Sequence, residues 1–270
     1  MALMSFLAVS SIEPDSTVST AYASSHPLPV GQSGDWNLIF SDEFNGSSLV
    51  SSKWVPCFPW GTTGGCGSTT TPDLWYLPAN VIVSDGTVKL RAKKELVTGT
   101  DGNTYFYTSG IITTSKLNTD PFPYKFTTEG GYIEMSAKMP KGQGLWPAFW
   151  TLAPEGKWPP EIDIIEILGH ETNKAHMTFH YKDSSGNNKQ SGSPWTGPDF
   201  SDGFHVFAVS WEPGAIRWYI DGVERRTAYT DTSYIPAEDM GMGACDMAIL
   251  AQESSHVGGL SDVEFASGGS

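Results

Sequence analysis

The chain alternates apolar and polar residues over short segments, and this two-residue period constrains the fold more than any other feature. Residues 131–139 and 204–211 alternate most regularly. Asp-Gly pairs at 85–86 and 221–222 separate β-branched runs, which is typical of β-hairpins with tight turns. No long segment has helical periodicity, so we expect an all-β fold, an antiparallel sandwich or barrel. Further apolar or β-branched runs that favour strands occupy residues 36–40, 81–83, 87–92, 110–114 and 216–220.

The charge balance narrows the class of partner. The formal net charge is −14, and an acidic surface repels phosphate backbones and anionic membranes. We therefore expect neither nucleic acid nor membrane as a partner. A neutral ligand meets no such repulsion, and the 10 Trp residues suit the C–H faces of a neutral sugar, although several of them will be core.

Changes in composition divide the chain into three parts. Residues 1–33 are predicted to be a leader or a disordered segment, residues 34–236 one catalytic domain, and residues 237–270 a divergent tail. A short apolar run at 2–9 and Ala-Tyr-Ala at 21–23 weakly indicate a signal peptide, so we expect secretion, although no Lys or Arg precedes the run. The run is too short to span a bilayer.

The three cysteines leave two alternatives open. Cys57 and Cys66 flank a Pro/Gly-rich stretch that a disulfide could close in an oxidising compartment, and two free thiols are an equally good interpretation. Cys245 is left over. No His/Cys spacing indicates a metal site.

The segment 161–166 reads Glu-Ile-Asp-Ile-Ile-Glu and follows a Pro-Pro pair that disfavours a helix. In a regular strand, Glu161 and Asp163 share one face, and Glu166 falls on the other. One extra residue near Ile165, a β-bulge, returns Glu166 to the acidic face. The sequence therefore predicts a bulged strand with acids on one side and isoleucines on the other.

Clustered carboxylates indicate acid–base chemistry. Repulsion raises the pKa of one acid, so that it stays protonated near neutral pH. Retaining glycoside hydrolysis needs this split: one carboxylate attacks the sugar, and a protonated one about 5–5.5 Å away donates to the leaving oxygen. A solvated strand face and a calcium site are the alternative interpretations.

Together with its surroundings, the acidic segment resembles glycoside hydrolase family 16, the laminarinase and lichenase group. The matching elements, in the family's order, are Asp42-Glu43-Phe44, Asn80, Ser109-Gly110, residues 131–139, residues 141–150, residues 161–166, residues 176–180 and residues 218–222. The resemblance implies a β-jelly-roll sandwich with a substrate cleft across its concave sheet.

The resemblance also implies roles for single residues. Glu161 is the expected nucleophile, Glu166 the general acid/base and Asp163 the residue that tunes the pair. Trp146 and Trp150 are expected to stack on sugars, with core packing as the alternative. The remaining expected substrate-binding residues are His180, Asn80 and Trp211, of which Trp211 could face either way on its strand.

The spacing of the two glutamates resembles the bulged laminarinase type. This implies an enzyme for retaining endo-hydrolysis of β-1,3-glucan or mixed-linkage β-1,3-1,4-glucan. We also expect the protein to be a monomer. Galactan-cutting relatives share the bulge, so a β-galactan is an alternative substrate; a non-catalytic glucan-binding module and a transglycosylase are alternative functions. No cofactor is expected to be required, although several family members bind a structural calcium on the convex side through an Asp of the last strand.

Residues 237–270 depart from the family pattern. After about Pro236 the family continues with an apolar strand, a Gly-Gly turn, a Trp/Pro-rich loop and a final strand, none of which is recognisable here. A frameshift, a truncated gene or natural divergence could each account for this. The sequence therefore predicts that C-terminal strands are missing or aberrant and that sheet edges are unpaired.

Overall fold

The structure is a computed structural model and describes residues 28–57, 73–114, 124–153, 158–212, 214–229, 240–248 and 261–266. Within these ranges the chain forms strands and one 3-10 turn, Pro78–Asn80, and no α-helix, so none could span a membrane. The strands are β1 Leu74–Tyr76, β2 Val81–Ser84, β3 Thr87–Thr98, β4 Thr104–Ser109, β5 Ile111–Thr113, β6 Gly131–Lys138, β7 Leu145–Leu152, β8 Glu161–Ile167, β9 Lys174–Lys182, β10 Asn188–Thr196, β11 His205–Glu212, β12 Ala215–Ile220, β13 Val223–Tyr229, β14 Gly241–Ala248 and β15 Ser261–Ala266.

The strands form two sheets, which confirms the predicted all-β sandwich. The nine-stranded sheet has the order β1-β4-β3-β15-β6-β11-β12-β13, with β2 also paired to β3. The six-stranded sheet has the order β10-β9-β8-β7-β14-β5. All these pairings are antiparallel except β1 with β4.

Both predicted hairpins are present. Asp85 and Gly86 join β2 to β3 with φ of 56° and 71°, and Asp221 and Gly222 join β12 to β13 with φ of 52° and 74°. Two successive residues with positive φ match the twist of the flanking strands. The predicted strand at residues 36–40 is wrong: these residues form no ladder.

The prediction of missing C-terminal strands is wrong. β14 pairs with β7 and β5, and β15 pairs with β3 and β6, so both lie inside the sheets. Strands pair through backbone hydrogen bonds, so β14 can form a strand despite its Gly- and Met-rich sequence. Met242 is fully buried in the core between the sheets.

The main core lies between the sheets. Val88, Ile133 and Phe207 face it from the nine-stranded sheet, and Phe149 and Phe179 from the six-stranded sheet. A second apolar cluster contains Leu74 and Tyr76 of β1, Ile111 of β5, and Ala148, Trp150 and Leu152 of β7.

The described residues include only part of the predicted N-terminal leader and only one cysteine of the predicted disulfide loop. Residues 1–27 lie outside the described residues, and Val30 already contacts the nine-stranded sheet, its backbone N–H donating to Glu134 at 2.9 Å. The domain boundaries stay predictions. Cys57 is disulfide-bonded, but Cys66 lies outside the described residues, so its pairing with Cys57 also stays a prediction.

Candidate active site

Strand β8 contains the bulge that the sequence predicts. Against β7, Asp163 pairs with Trp150 and Ile165 with Phe149, so Ile164 is the extra residue. Against β9, the register shifts between Asp163 and Glu166. The isoleucines at 162, 164, 165 and 167 are all buried in the core between the sheets. Burial of these side chains favours a bulge, because a strand without one would expose Ile165 and Ile167 and bury Glu166 in the core.

The bulge places the three acids on the outer face of the six-stranded sheet. On β7, their cross-strand neighbours are Leu152 beside Glu161, Trp150 beside Asp163 and Ala148 beside Glu166. Paired residues of adjacent strands point to the same face, so the second apolar cluster borders the acids directly. On the other side, β9 contributes His180 beside Glu161, Thr178 beside Asp163 and His176 beside Glu166.

Hydrogen bonds connect the acids to aromatic neighbours. The indole N–H of Trp158 donates to Glu161 Oε2 at 2.6 Å. His180 Nε2 lies 3.0 Å from Asp163 Oδ2. The side chain of Trp146 hydrogen-bonds to Glu166. Each carboxyl group therefore has one defined neighbour that orients it.

Burial raises the pKa of every acid in the cluster, and repulsion by neighbouring acids adds to it for the two glutamates. Burial first, and then the charge of Asp163, raise the pKa of Glu161 to about 7, against the lowering effects of Trp158 and His180. Burial raises the pKa of Asp163 to about 7. The pKa of Glu166 rises furthest, to about 8, through burial and the charges of Asp163 and Glu161. The cluster therefore holds at least one proton near neutral pH.

A metal ion is a weaker interpretation of this cluster. Ligand atoms of Glu161, Asp163 and His180 lie within 4.8 Å of one another. Calcium takes oxygen ligands, whereas His180 offers a nitrogen that already faces Asp163. The structural calcium that the family resemblance implies depends on an Asp side chain of the last strand, and the side chains of β15 lie outside the described residues.

Three of the five predicted substrate-binding residues lie beside the acids. His180 contacts Asp163, and Trp146 is half-buried and bonded to Glu166. Trp150 lies beside Asp163 but is only 5% exposed, because it packs in the second apolar cluster.

The expectation that Trp211 binds substrate is wrong. It is 1% exposed and lies in the core between the sheets. Alternation along β11 turns Trp211 to the same side as the buried Phe207 and Val209, away from the acidic face. It therefore cannot stack on a sugar.

Asn80 is fully buried at the end of the 3-10 turn, where its Nδ2 donates to Thr108 Oγ1 at 2.8 Å. Its Oδ1 has no hydrogen-bond partner among the described residues. Contact between Asn80 and a sugar stays a prediction.

Sequence reasoning missed one residue of the site. Trp158 precedes the Pro-Pro pair, and its indole N–H donates to Glu161 while its ring lies 5.6 Å from that of His180. It is 43% exposed, which leaves a free aromatic surface next to the acids. The available signal was a tryptophan three positions before an acid, outside any alternating segment.

Sequence comparisons place the chain among carbohydrate-active proteins. The model of glycosyl hydrolases family 16 matches residues 73–265. The chain is 36% identical over 196 residues to an endo-1,3-1,4-beta-glycanase, EglC, of Rhizobium meliloti, covering 67% of this chain and 40% of that protein. It is 33% identical over 203 residues to glucan endo-1,3-beta-glucosidase A1 of Niallia circulans, covering 69% of this chain and 28% of that protein. The chain therefore spans less than half the length of these curated relatives.

Solved structures agree with the fold. The laminarinase catalytic domain of Thermotoga maritima superposes with a TM-score of 0.72 at 27% identity, covering 86% of this chain and 96% of that one. The LamAcat structure from Zobellia galactanivorans gives a TM-score of 0.71 at 26% identity, covering 84% and 94%. The family-model match to residues 73–265 also includes β14 and all but the last residue of β15.

Proposed function

The chain belongs to glycoside hydrolase family 16, and we propose that it cleaves internal linkages of β-1,3-glucan or mixed-linkage β-1,3-1,4-glucan with retention of configuration. The observation that carries the proposal is the bulge in β8, which puts Glu161, Asp163 and Glu166 on one face of the sheet. Two glutamates with different proton affinities on one face are what double displacement requires.

In the first step, Glu161 attacks the anomeric carbon and Glu166 gives its proton to the glycosidic oxygen. The bond between sugar and leaving oxygen breaks as a glycosyl ester with Glu161 forms. In the second step, Glu166 removes a proton from water, and the water oxygen displaces Glu161. Each step then transfers one proton and one glycosyl group, and Glu166 ends protonated again.

The neighbours of the two glutamates support this assignment of roles. Trp158 donates to Glu161 and lowers its pKa, which favours the ionised nucleophile. Glu166 has the highest pKa of the cluster, which favours the protonated acid. Asp163 lies between them in sequence and raises the pKa of both by repulsion. His180 lies 3.0 Å from Asp163 and orients it.

The substrate class follows from the relatives and from the surface of the site. Two relatives carry names that specify 1,3-1,4-β-glycan or 1,3-β-glucan as the polymer they cut. Trp146 and the exposed Trp158 offer aromatic surface beside Glu166 and Glu161. A neutral glucan suits a protein of net charge −14 better than a sulfated or phosphorylated polymer does.

Product analysis with laminarin, lichenan, agarose and xyloglucan tests the proposal. We expect oligosaccharides from laminarin or lichenan, and a loss of at least about a thousandfold in kcat for Glu161→Gln, because the nucleophile is gone. Glu212→Gln is the matched control: Glu212 is exposed at the end of β11 and bonds Arg217.

Three results would contradict the proposal. Cleavage of agarose instead of the glucans would indicate a β-galactan hydrolase. Laminarin binding without release of reducing sugar would indicate a binding module. Full activity of Glu161→Gln would remove Glu161 from the mechanism.

We also propose that the protein acts in an oxidising compartment outside the cytoplasm. The disulfide at Cys57 supports this, because disulfides persist in such compartments. Alkylation of free thiols in the protein purified from its native source, followed by mass spectrometry, should leave Cys57 unmodified. An alkylated Cys57 would contradict the proposal.

A further inference from the structure

The backbone of β8 next to the bulge accepts a hydrogen bond from the opposite sheet. The indole N–H of Trp218, in β12 of the nine-stranded sheet, donates to the backbone carbonyl of Asp163 at 2.9 Å. Both groups are buried. Asp163 is the last residue that pairs with both neighbouring strands before the register shifts. The bond therefore joins the core face of one sheet to the start of the bulge in the other.

The bulge needs such support because its ladder is interrupted. Ile164 has no Cα partner in β7 or β9, and Ile165 has one only in β7. A bulge disrupts the local ladder and increases twist, so fewer backbone bonds hold these residues in place. Glu166, which follows directly, depends on the bulge for its position on the acidic face.

Trp218 is itself held in a fixed orientation. It is fully buried, and the guanidinium of Arg226 stacks on its ring with 4.3 Å to the centroid. Arg226 Nη2 donates in turn to Ser191 Oγ of β10 at 2.8 Å. The β12–β13 register also shifts next to Trp218, so irregularities in both sheets meet at this residue.

The energetics favour a positioning role over simple core filling. A buried indole N–H without a partner costs free energy, so the bond to Asp163 stabilises the bulged conformation relative to a regular strand that turns this carbonyl into the ladder. A displacement of about 1 Å at a catalytic group can cost about a hundredfold in rate. A bond that selects the bulge therefore has consequences for catalysis that exceed its contribution to stability.

We propose that Trp218 is a positioning residue: its indole N–H fixes the bulge and with it the placement of Glu161 and Glu166 on one face. This inference rests on the proposed function for its kinetic part. Its structural part concerns the backbone of β8 and stands independently of the substrate.

Trp211 supplies a matched control. It is a buried tryptophan of the same core, 1% exposed, on the neighbouring strand β11. Its Nε1 has no hydrogen-bond partner among the described residues. Trp218→Phe and Trp211→Phe remove the same atoms from the same core, but only the first removes a hydrogen bond to the catalytic strand.

The experiment measures glucan hydrolysis and amide hydrogen exchange for the wild type and both variants. We expect Trp218→Phe to lower kcat about tenfold or more while KM stays within about threefold, because the acids are misplaced and the sugar-binding surface is retained. We expect faster exchange at residues 161–167 in Trp218→Phe. Trp211→Phe should match the wild type in both measurements, apart from a lower melting temperature.

Equal kcat losses in both variants, or unchanged exchange at residues 161–167 in Trp218→Phe, would overturn the inference. A wild type that cleaves none of the glucans would refute the proposed function instead, and the exchange measurement would still decide the role of Trp218. If Trp218→Phe does not fold, the benzothienyl analogue of tryptophan, which keeps the shape and lacks the N–H, replaces it at both positions. The analogue at position 218, but not at position 211, must then lower kcat and speed up exchange at residues 161–167.

Discussion

Replacing Glu166 with glutamine should abolish hydrolysis and make the protein more stable at alkaline pH. Burial, first, and the charges of Asp163 and Glu161 raise the pKa of Glu166 from 4.5 to about 8 in the folded state. Between these two pH values the unfolded chain ionises Glu166, while the folded protein must keep it protonated. The contribution of Glu166 to the free energy of unfolding is therefore fully present below pH 4.5 and is lost as the pH rises towards 8.

The free energy of unfolding that the wild type loses at alkaline pH follows from the size of the pKa shift of Glu166. Each pH unit in this window costs about 1.4 kcal/mol, so the full shift to about 8 sets a ceiling of about 5 kcal/mol. The Glu166 side chain is partly exposed, and the cluster shares its protons, so we expect about half of the ceiling, about 2–3 kcal/mol. Glutamine has the same shape and no charge, so Glu166→Gln should regain this part of the free energy of unfolding at alkaline pH.

Urea unfolding at about pH 4.5 and about pH 9 measures the effect. Glu166→Gln should match the wild type at the lower pH and exceed it by about 2–3 kcal/mol at the higher pH. Glu212→Gln should show no alkaline gain, because Glu212 is exposed beside Arg217. A Glu166→Gln variant that is no more stable than the wild type at pH 9, or that gains equally at both pH values, would refute the reasoning.

Two further predictions concern the nucleophile and the backbone. Trp158→Phe removes the hydrogen bond that lowers the pKa of Glu161, so the acidic limb of the kcat/KM profile should move to higher pH; an unmoved limb would contradict this. Gly110→Ala should destabilise the domain by about 2 kcal/mol or more in thermal unfolding, because a Cβ there would lie 2.5 Å from the Asn80 carbonyl oxygen. Gly203→Ala meets nothing within 4 Å and should unfold like the wild type.

The sequence predicts the catalytic strand well because two constraints act on it together. Ile162, Ile164 and Ile167 are predicted to face the core, and a regular strand cannot bury all three while keeping the acids together. One extra residue near Ile165 solves this, and the structure has it at Ile164, with Ile165 buried as well. Local sequence is sufficient here because both faces of the strand are specified.

For other strands the sequence does not specify which face meets the core. The alternation along β11 predicts a strand but does not say which side meets the core, so the sequence leaves the face of Trp211 open, and the structure places it in the core. β14 and β15 lack a strong strand pattern, and their places between other strands depend on partners far away in the chain. The contacts of Trp158 with Glu161 and His180 likewise depend on the folded geometry.

The stereochemistry of the first product tests the central claim most directly. Proton NMR during the first minutes of laminarin hydrolysis resolves the anomer at the new reducing end before mutarotation. Attack by Glu161 followed by attack of water inverts the anomeric carbon twice, so the account predicts the β-anomer first. An initial α-anomer would mean a single inversion, and Glu161 would not be the nucleophile.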